Sequence, residues 1–305
     1  MPLYQSVDEL DFRFEDLQPL PLPDRVLMAD PRDFECAYAI NPHMVDERGE
    51  LKRVDRELAR RQWSALRDAF EASGLRVDLV PPLDRHPDLV FCANPALPMP
   101  RALFADGRPR LVPSRMAHPE RRGEVEHVVA TLRALGYAIE PLRGASQRLE
   151  GMGDGIWQLG RALLWAGVGP RSDLAAWQEL AERYPMRIVT LSLVDPALYH
   201  LDTALASLAP DACLWWPGAF DARGRALIEK LVPRAIAADA DEARRFLACN
   251  AFSADGKRVF IERRCTRTSA TLRDAGFEVI PLDTSEFLKS GGSVFCMKLA
   301  HGPLA

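Results

Sequence analysis

No apolar run in this chain approaches the roughly 18 residues that a membrane-spanning helix needs. The first twenty residues alternate acidic and apolar side chains, with no basic region leading into an apolar one, so the expected location is cytoplasmic. An excess of basic charge is also missing. The 39 basic and 43 acidic side chains are interspersed and leave a net charge of -4, which argues against a nucleic-acid or membrane partner. Paired cysteine motifs are absent as well. Cys36, Cys92, Cys213, Cys249, Cys265 and Cys296 are scattered without a C-x-x-C pair, which excludes a disulfide framework or zinc ribbon and makes most of them buried small hydrophobes. No phosphate-binding G-x-x-x-x-G-K-[ST], no G-x-G-x-x-G following a strand and no H-x-x-E-H occurs. Chemistry without cofactor or metal is the expectation, with a small molecule as partner and a homo-oligomer left open.

What is present is a sizeable apolar fraction, 48% of 305 residues, enough for one large domain or two smaller ones. After a proline-rich lead-in (1–24), one phrase recurs at intervals of about fifty to sixty residues: strands, a helix, then a strand. Strands are predicted at 25–29, 75–80, 89–93, 102–105, 110–112, 137–141, 156–159, 162–166, 187–193, 204–208, 212–216, 235–238, 251–253, 258–262 and within 276–287. Helices are predicted at 54–73, 119–135, 172–183, 222–231 and 265–274. In the first helix Leu58, Trp63, Leu66 and Phe70 fall on one face. The exits "SGLRVDLVPPL", "LGYAIEPL" and "AGFEVIPLD" each pair a helix-ending glycine with an alternating strand and a proline. A doubly wound sheet wants single strands between helices. The paired short strands favour an α/β radial array instead, with residues 25–305 as a single domain.

Four short stretches carry reactive groups. Cys296 follows Gly291 and Gly292, which permit close approach of backbone to a ligand, so its thiol can face a pocket. His200 precedes Asp202 by two residues in "YHLD", and in an extended segment the two would share a face, as a tuned proton carrier or a substrate clamp. "LEGMGDG" sets Glu150 and Asp154 around glycines, and "DLVFCANP" adds the amide of Asn94. The histidines 43, 86, 118, 127 and 301 read as surface or turn residues.

Together and in this order, these stretches resemble the guanidine-modifying superfamily of arginine deiminases, dimethylarginine dimethylaminohydrolases, amidinotransferases and arginine dihydrolases. The resemblance covers about 25–297 and implies a five-bladed α/β propeller (pentein) of ββαβ units around a central active site. It implies that Cys296 is the nucleophile, His200 the general acid and base, Glu150 the acid that orients the imidazole, and Asp202 a grip on guanidinium nitrogens. Asp154 in the same glycine-rich loop is counted with the substrate-binding acids. Arg171 in "GVGPRSD" corresponds to an arginine that binds the substrate carboxylate, with Arg121 in "HPERRGE", or its neighbour Arg122, as a second candidate. Where deiminases resemble "FTRDP" this chain has Phe91-Cys92-Ala93-Asn94-Pro95, so an amide replaces an aspartate. The arginine dihydrolases share that asparagine and an "INP" segment like Ile40-Asn41-Pro42, and they convert arginine to ornithine, ammonia and carbon dioxide through a covalent thiouronium adduct. The alternatives are a dimethylarginine hydrolase, a deiminase, an amidinotransferase, or a non-catalytic propeller used as a binding module.

Overall fold

The computed structural model describes residues 3–144 and 147–304 and contains five small sheets. Strand β1 (Leu3–Tyr4) belongs to the lead-in. In the first blade, β2 (Arg25–Ala29) is buried throughout and runs parallel to β3 (Arg76–Val80), with α1 (Arg56–Ala72) crossing between them. The Asp55 carboxylate accepts the Leu58 amide and starts α1, whose face of Ala59, Trp63, Leu66 and Phe70 is buried. The second blade holds β4 (Ala96–Met99), β5 (Arg110–Pro113), α2 (Arg122–Ala134) and β6 (Ala138–Ile139). A short turn of helix, α3 (Gly151–Asp154), leads into the third: β7 (Gly155–Trp157), β8 (Leu163–Val168), α4 (Leu174–Arg183) and β9 (Arg187–Ser192). The fourth has β10 (Leu205–Ala209), β11 (Ala212–Trp215), α5 (Ala222–Leu231) and β12 (Arg234–Ala237). After α6 (Ala240–Arg245), the fifth has β13 (Arg258–Glu262), α7 (Thr266–Asp274) and β14 (Glu278–Leu282). The last strand, β15 (Leu299–His301), pairs antiparallel with β2 and completes the first blade.

Four blades have an antiparallel inner pair and a parallel outer pair joined through a helix, and the fifth has the parallel pair β13–β14 with a single antiparallel bridge, Phe252 to Phe260, in place of the inner strand: the ββαβ arrangement of a five-bladed α/β propeller. A parallel pair cannot be joined by a tight turn, so the helix is the crossover that each outer pair requires. The exits follow the predicted chemistry. Gly74, Gly136 and Gly276 end α1, α2 and α7 with φ of +92°, +100° and +91°, where a side chain would be strained. The lead-in lies on the third blade, β1 pairing with β9, while Tyr4, Phe14, Leu17 and Leu20 are buried in the main core.

Some predicted elements fall elsewhere. Residues 89–93 and 102–105 are not strands. Pro87–Val90 and Arg101–Leu103 are single 3-10 turns, and the inner strand of that blade is Ala96–Met99. Leu89 to Ala93 is apolar because it is buried beneath the site, and periodicity does not separate that from a buried strand. At 251–253 only a bridge between Phe252 and Phe260 forms, because the Asn250 carbonyl accepts instead from Phe295. The strand β15 and helix α6 were not predicted. His301, expected at the surface, is buried in β15 and lies 3.2 Å from Asp78.

Candidate active site

The reactive side chains share one position in the architecture: each lies just before the inner strand of its blade. Asn94 precedes β4, Glu150 and Asp154 precede β7, His200 and Asp202 precede β10, Asn250 precedes the Phe252 bridge, and Cys296 precedes β15. Five inner strands that surround one axis bring five such entry segments together. Residues far apart in the chain thereby come together, with Asn94 and Cys296 lining one cavity.

Cys296 sits in a tight turn in which the Met297 amide donates to the Ser293 carbonyl at 3.2 Å. Gly291, at φ +83°, starts the approach to it. A Cβ there would stand 2.8 Å from the Tyr199 hydroxyl, and one on Gly292 would stand 2.3 Å from the Phe91 ring. The thiol is buried, 3.1 Å from Asp202 Oδ2, and accepts a hydrogen bond from Asn250 Nδ2 at 3.1 Å. Burial raises its pKa well above the ordinary thiol range, and the Asp202 carboxyl beside it acts in the same direction. Both influences favour the protonated thiol, and a cation beside the sulfur favours thiolate.

His200 and Asp202 do not share an extended face. The chain turns into a 3-10 helix at Leu201–Thr203, which sends the imidazole to Glu150, with Nε2 and Oε2 2.7 Å apart, and the carboxylate to Cys296. Glu150 also accepts the Ala117 amide at 2.9 Å and Arg171 Nη1 at 3.1 Å. Burial pushes its pKa up, but the His200 hydrogen bond and the charges of His200, Arg171 and Arg121 outweigh that and hold it down to about 2. Asp202 differs: burial pushes it up to about 7, and its Oδ1 has no hydrogen-bond partner among the described residues.

Asp154 is a correction to the substrate-binding set. Its Oδ1 accepts the Leu201 amide at 3.0 Å and its Oδ2 accepts Ser172 Oγ at 2.6 Å, so both oxygens brace the His200 turn and neither is free for a ligand. Asn41 lines the cavity, but its Oδ1 takes the His43 amide and its Nδ2 reaches the Ser290 carbonyl and the Tyr199 hydroxyl, so it fastens the Ser290-Gly291 turn. Arg171 lines the cavity with Nη1 on Glu150, Nη2 on the Ile40 carbonyl and its plane over the Tyr199 ring. Arg121 is buried against Glu124, with Nη1 on Asn94 Oδ1 at 2.9 Å and Nη2 on the Asp88 and Phe91 carbonyls.

A small cavity at this place is bordered by Asp88, Asn94, Arg121, Arg171, Tyr199 and Cys296. Two further buried atoms around it, Asp88 Oδ2 and Asn94 Nδ2, have no hydrogen-bond partner among the described residues. An arginine can only donate, so the contact with Arg121 fixes which end of the Asn94 amide is oxygen and leaves its NH₂ as the free end. A second, mainly apolar cavity is lined by Pro98, Met99, Ile156, Trp157 and Ala300 along β4, β7 and β15.

Two side chains in the site escaped the sequence reading. Asp88 lay inside a quoted stretch, but nothing local distinguishes it from a turn aspartate. Asn250 accepts the Ser293 and Cys296 amides at 3.0 and 3.2 Å through Oδ1 and donates to the Asp202 carbonyl and the Cys296 sulfur through Nδ2. Its signal was available in the repeat, since it stands where the other units place their reactive residues.

Fold and site together define a hydrolase of linear amidine C–N bonds. The family "N,N dimethylarginine dimethylhydrolase, eukaryotic" matches residues 31–301, and the chain belongs to it. It is 36% identical over 283 residues to the N(G),N(G)-dimethylarginine dimethylaminohydrolase of Mycobacterium tuberculosis, covering 93% of this chain and 87% of that protein. It is 33% identical over 279 residues to the bifunctional arginine dihydrolase/ornithine cyclodeaminase ArgZ of Synechocystis sp., covering 90% of this chain and 37% of that protein. The solved N-terminal domain of ArgZ bound to product, an arginine dihydrolase from cyanobacteria, superposes with a TM-score of 0.82 at 32% identity, covering 90% and 96% of the two chains. Among the described residues no helix is long and apolar enough to cross a membrane.

Proposed function

We propose that this protein is an arginine dihydrolase, which releases two ammonia molecules and carbon dioxide from arginine to leave ornithine. The observation that carries the reading is the amide donor of Asn94, without a partner among the described residues, in the cavity that Cys296 lines, together with the Asp202 carboxylate 3.1 Å from the Cys296 sulfur. A guanidinium offers only donors, so it is held by Asp202. The citrulline stage exposes a carbonyl oxygen, which Asn94 Nδ2 meets as a donor. An aspartate at 94 would offer that oxygen only repulsion. The likeness to ArgZ supports this reading, while the Mycobacterium relative supports the second one, hydrolysis of a methylated arginine.

In the first half-reaction the guanidinium beside Cys296 lowers the thiol pKa, and the thiolate adds to the central carbon. His200, held by Glu150, protonates the departing nitrogen, and ammonia leaves a thiouronium adduct. The now neutral His200 takes a proton from water, which attacks the adduct and frees Cys296. The Cys296 thiolate expelled in that hydrolysis adds to the ureido carbon, His200 protonates the second departing ammonia, water attacks the thiocarbamate that remains, and the resulting carbamate loses carbon dioxide. Arg171 and Arg121 line the cavity as the cations for the substrate carboxylate, and Asp88 Oδ2 offers an acceptor for its ammonium group.

The test is mass-spectrometric product analysis with L-arginine, dimethylarginine and agmatine offered separately. Ornithine from arginine is expected, with turnover lost by at least roughly 10³-fold in Cys296→Ala and His200→Ala. Citrulline accumulating as the sole product, from dimethylarginine only, would transfer the assignment to the second reading.

A further inference from the structure

Tyr199 borders the small cavity beside Cys296, and the buried guanidinium of Arg171 rests on its ring, with the Arg171 Cζ 4.8 Å from the ring centre. Among the described residues that guanidinium makes two hydrogen bonds, to Glu150 Oε2 at 3.1 Å and to the Ile40 carbonyl at 2.8 Å. The ring contact differs in kind from these. An aromatic face attracts a guanidinium through its π electrons and uses no N–H, so the in-plane donors left over stay available to an incoming carboxylate. An acidic side chain in place of the ring would consume those donors and cancel the charge.

The ring is itself fastened. The Tyr199 hydroxyl donates to the Gly291 carbonyl at 2.9 Å and accepts from Asn41 Nδ2 at 3.4 Å. Gly291 leads into the turn that presents Cys296, so one side chain joins the seat under Arg171 to the nucleophile segment. The Tyr199 ring also lies 4.8 Å from that of His200, whose Nε2 meets the same Glu150 oxygen that Arg171 contacts.

We propose that Tyr199 is a specificity-determining positioning residue: its ring seats Arg171 with donors free for the α-carboxylate of the substrate, so that the site prefers a guanidine that carries a carboxylate over one that lacks it. The inference rests on the reading of Arg171 as a cation for that carboxylate. Removing the ring lets the guanidinium turn further onto Glu150 and the Ile40 carbonyl, and fewer of its donors then meet the ligand. The guanidinium of the substrate is gripped by Asp202 and not by Arg171, so the loss falls on recognition of the carboxylate.

The experiment measures, by calorimetry, the binding of L-arginine and of agmatine, its counterpart without the carboxylate. It uses Cys296→Ala protein, which turns over neither, with Tyr199 intact or replaced by Leu, Met or Phe. Tyr199→Leu is expected to weaken L-arginine at least roughly tenfold and agmatine by less than about threefold, the size of a desolvated cation–π contact. Tyr199→Met, closer in volume, is read in the same way and decides the matter if the leucine variant does not fold. Tyr199→Phe keeps the ring and should keep the preference for L-arginine to within about threefold. An equal loss for both ligands in the leucine or methionine variant, no loss for either, or a preference already gone in Tyr199→Phe overturns the inference. Arg171→Ala separates the two claims. A preference that survives Arg171→Ala defeats the carboxylate contact itself, whereas a preference lost in Arg171→Ala and intact in Tyr199→Leu defeats only the role of Tyr199.

Discussion

Asn250 joins three parts of the site through one carboxamide: the Ser293 and Cys296 amides, the carbonyl of Asp202 and the sulfur itself. Replacing it by alanine leaves two buried amides without acceptors, each a loss of about 1–3 kcal/mol. Asn250→Ala is therefore expected to lower stability in urea titration and to reduce kcat by roughly 10²-fold through misplacement of the thiol. Activity near wild type would mean the turn holds Cys296 unaided. Asn94→Asp tests a different property. It keeps an oxygen for Arg121 but exchanges the free donor for a second acceptor, so the product should shift from ornithine toward citrulline, read by mass spectrometry. Unchanged ornithine output would remove the amide from the explanation.

At the scale of elements, β15 has two tasks. It supplies the inner strand of the first blade, closing the ring on β2, and it fixes the end of the Cys296 turn. Leu299, opposite Leu27, is fully buried. Leu299→Ala is expected to cost about 2–5 kcal/mol in denaturant unfolding and to lower activity at temperatures where the fold is still intact, because the cavity it leaves lies against the segment carrying the nucleophile. The elements also show where local pattern is informative. The helix α5 and strands β2 and β13 stand where alternation and turn residues predict them. The strand β15 was missed because its partner is more than two hundred residues away in the chain, and 89–93 was misread because burial under a site and burial in a sheet give the same apolar run.

For the whole molecule, the buried acids set the pH dependence of stability. Burial raises Asp154 to about 6 and Asp202 and Glu124 to about 7, so between pH 4.5 and 7 the folded protein binds more protons than the unfolded chain. Stability from these three is fully present below their unfolded pKa values and is lost as pH rises through the folded ones. Glu150 and Asp78, held down to about 2, act oppositely: their contribution is present above about 4 and lost as pH falls toward 2. The ligand-free protein is therefore expected to be most stable near pH 5, with Tm falling by about 5 °C by pH 7.5. A Tm that is flat or rising over that interval would show that the three carboxyls are ionised in the fold.

The sequence alone determined the repeating unit, the helix exits at Gly74, Gly136 and Gly276, and the identity of the thiol, imidazole and acids, because turn chemistry and side-chain type act over a few residues. Only the tertiary structure decided which of those groups face the cavity. Asp154 turned out to brace a loop, Asp202 to meet the sulfur, Asn250 to hold the same sulfur, and Asp88 to line the cavity. Such choices depend on five entry segments converging around one axis, and a free buried atom is defined by neighbours that lie in other blades.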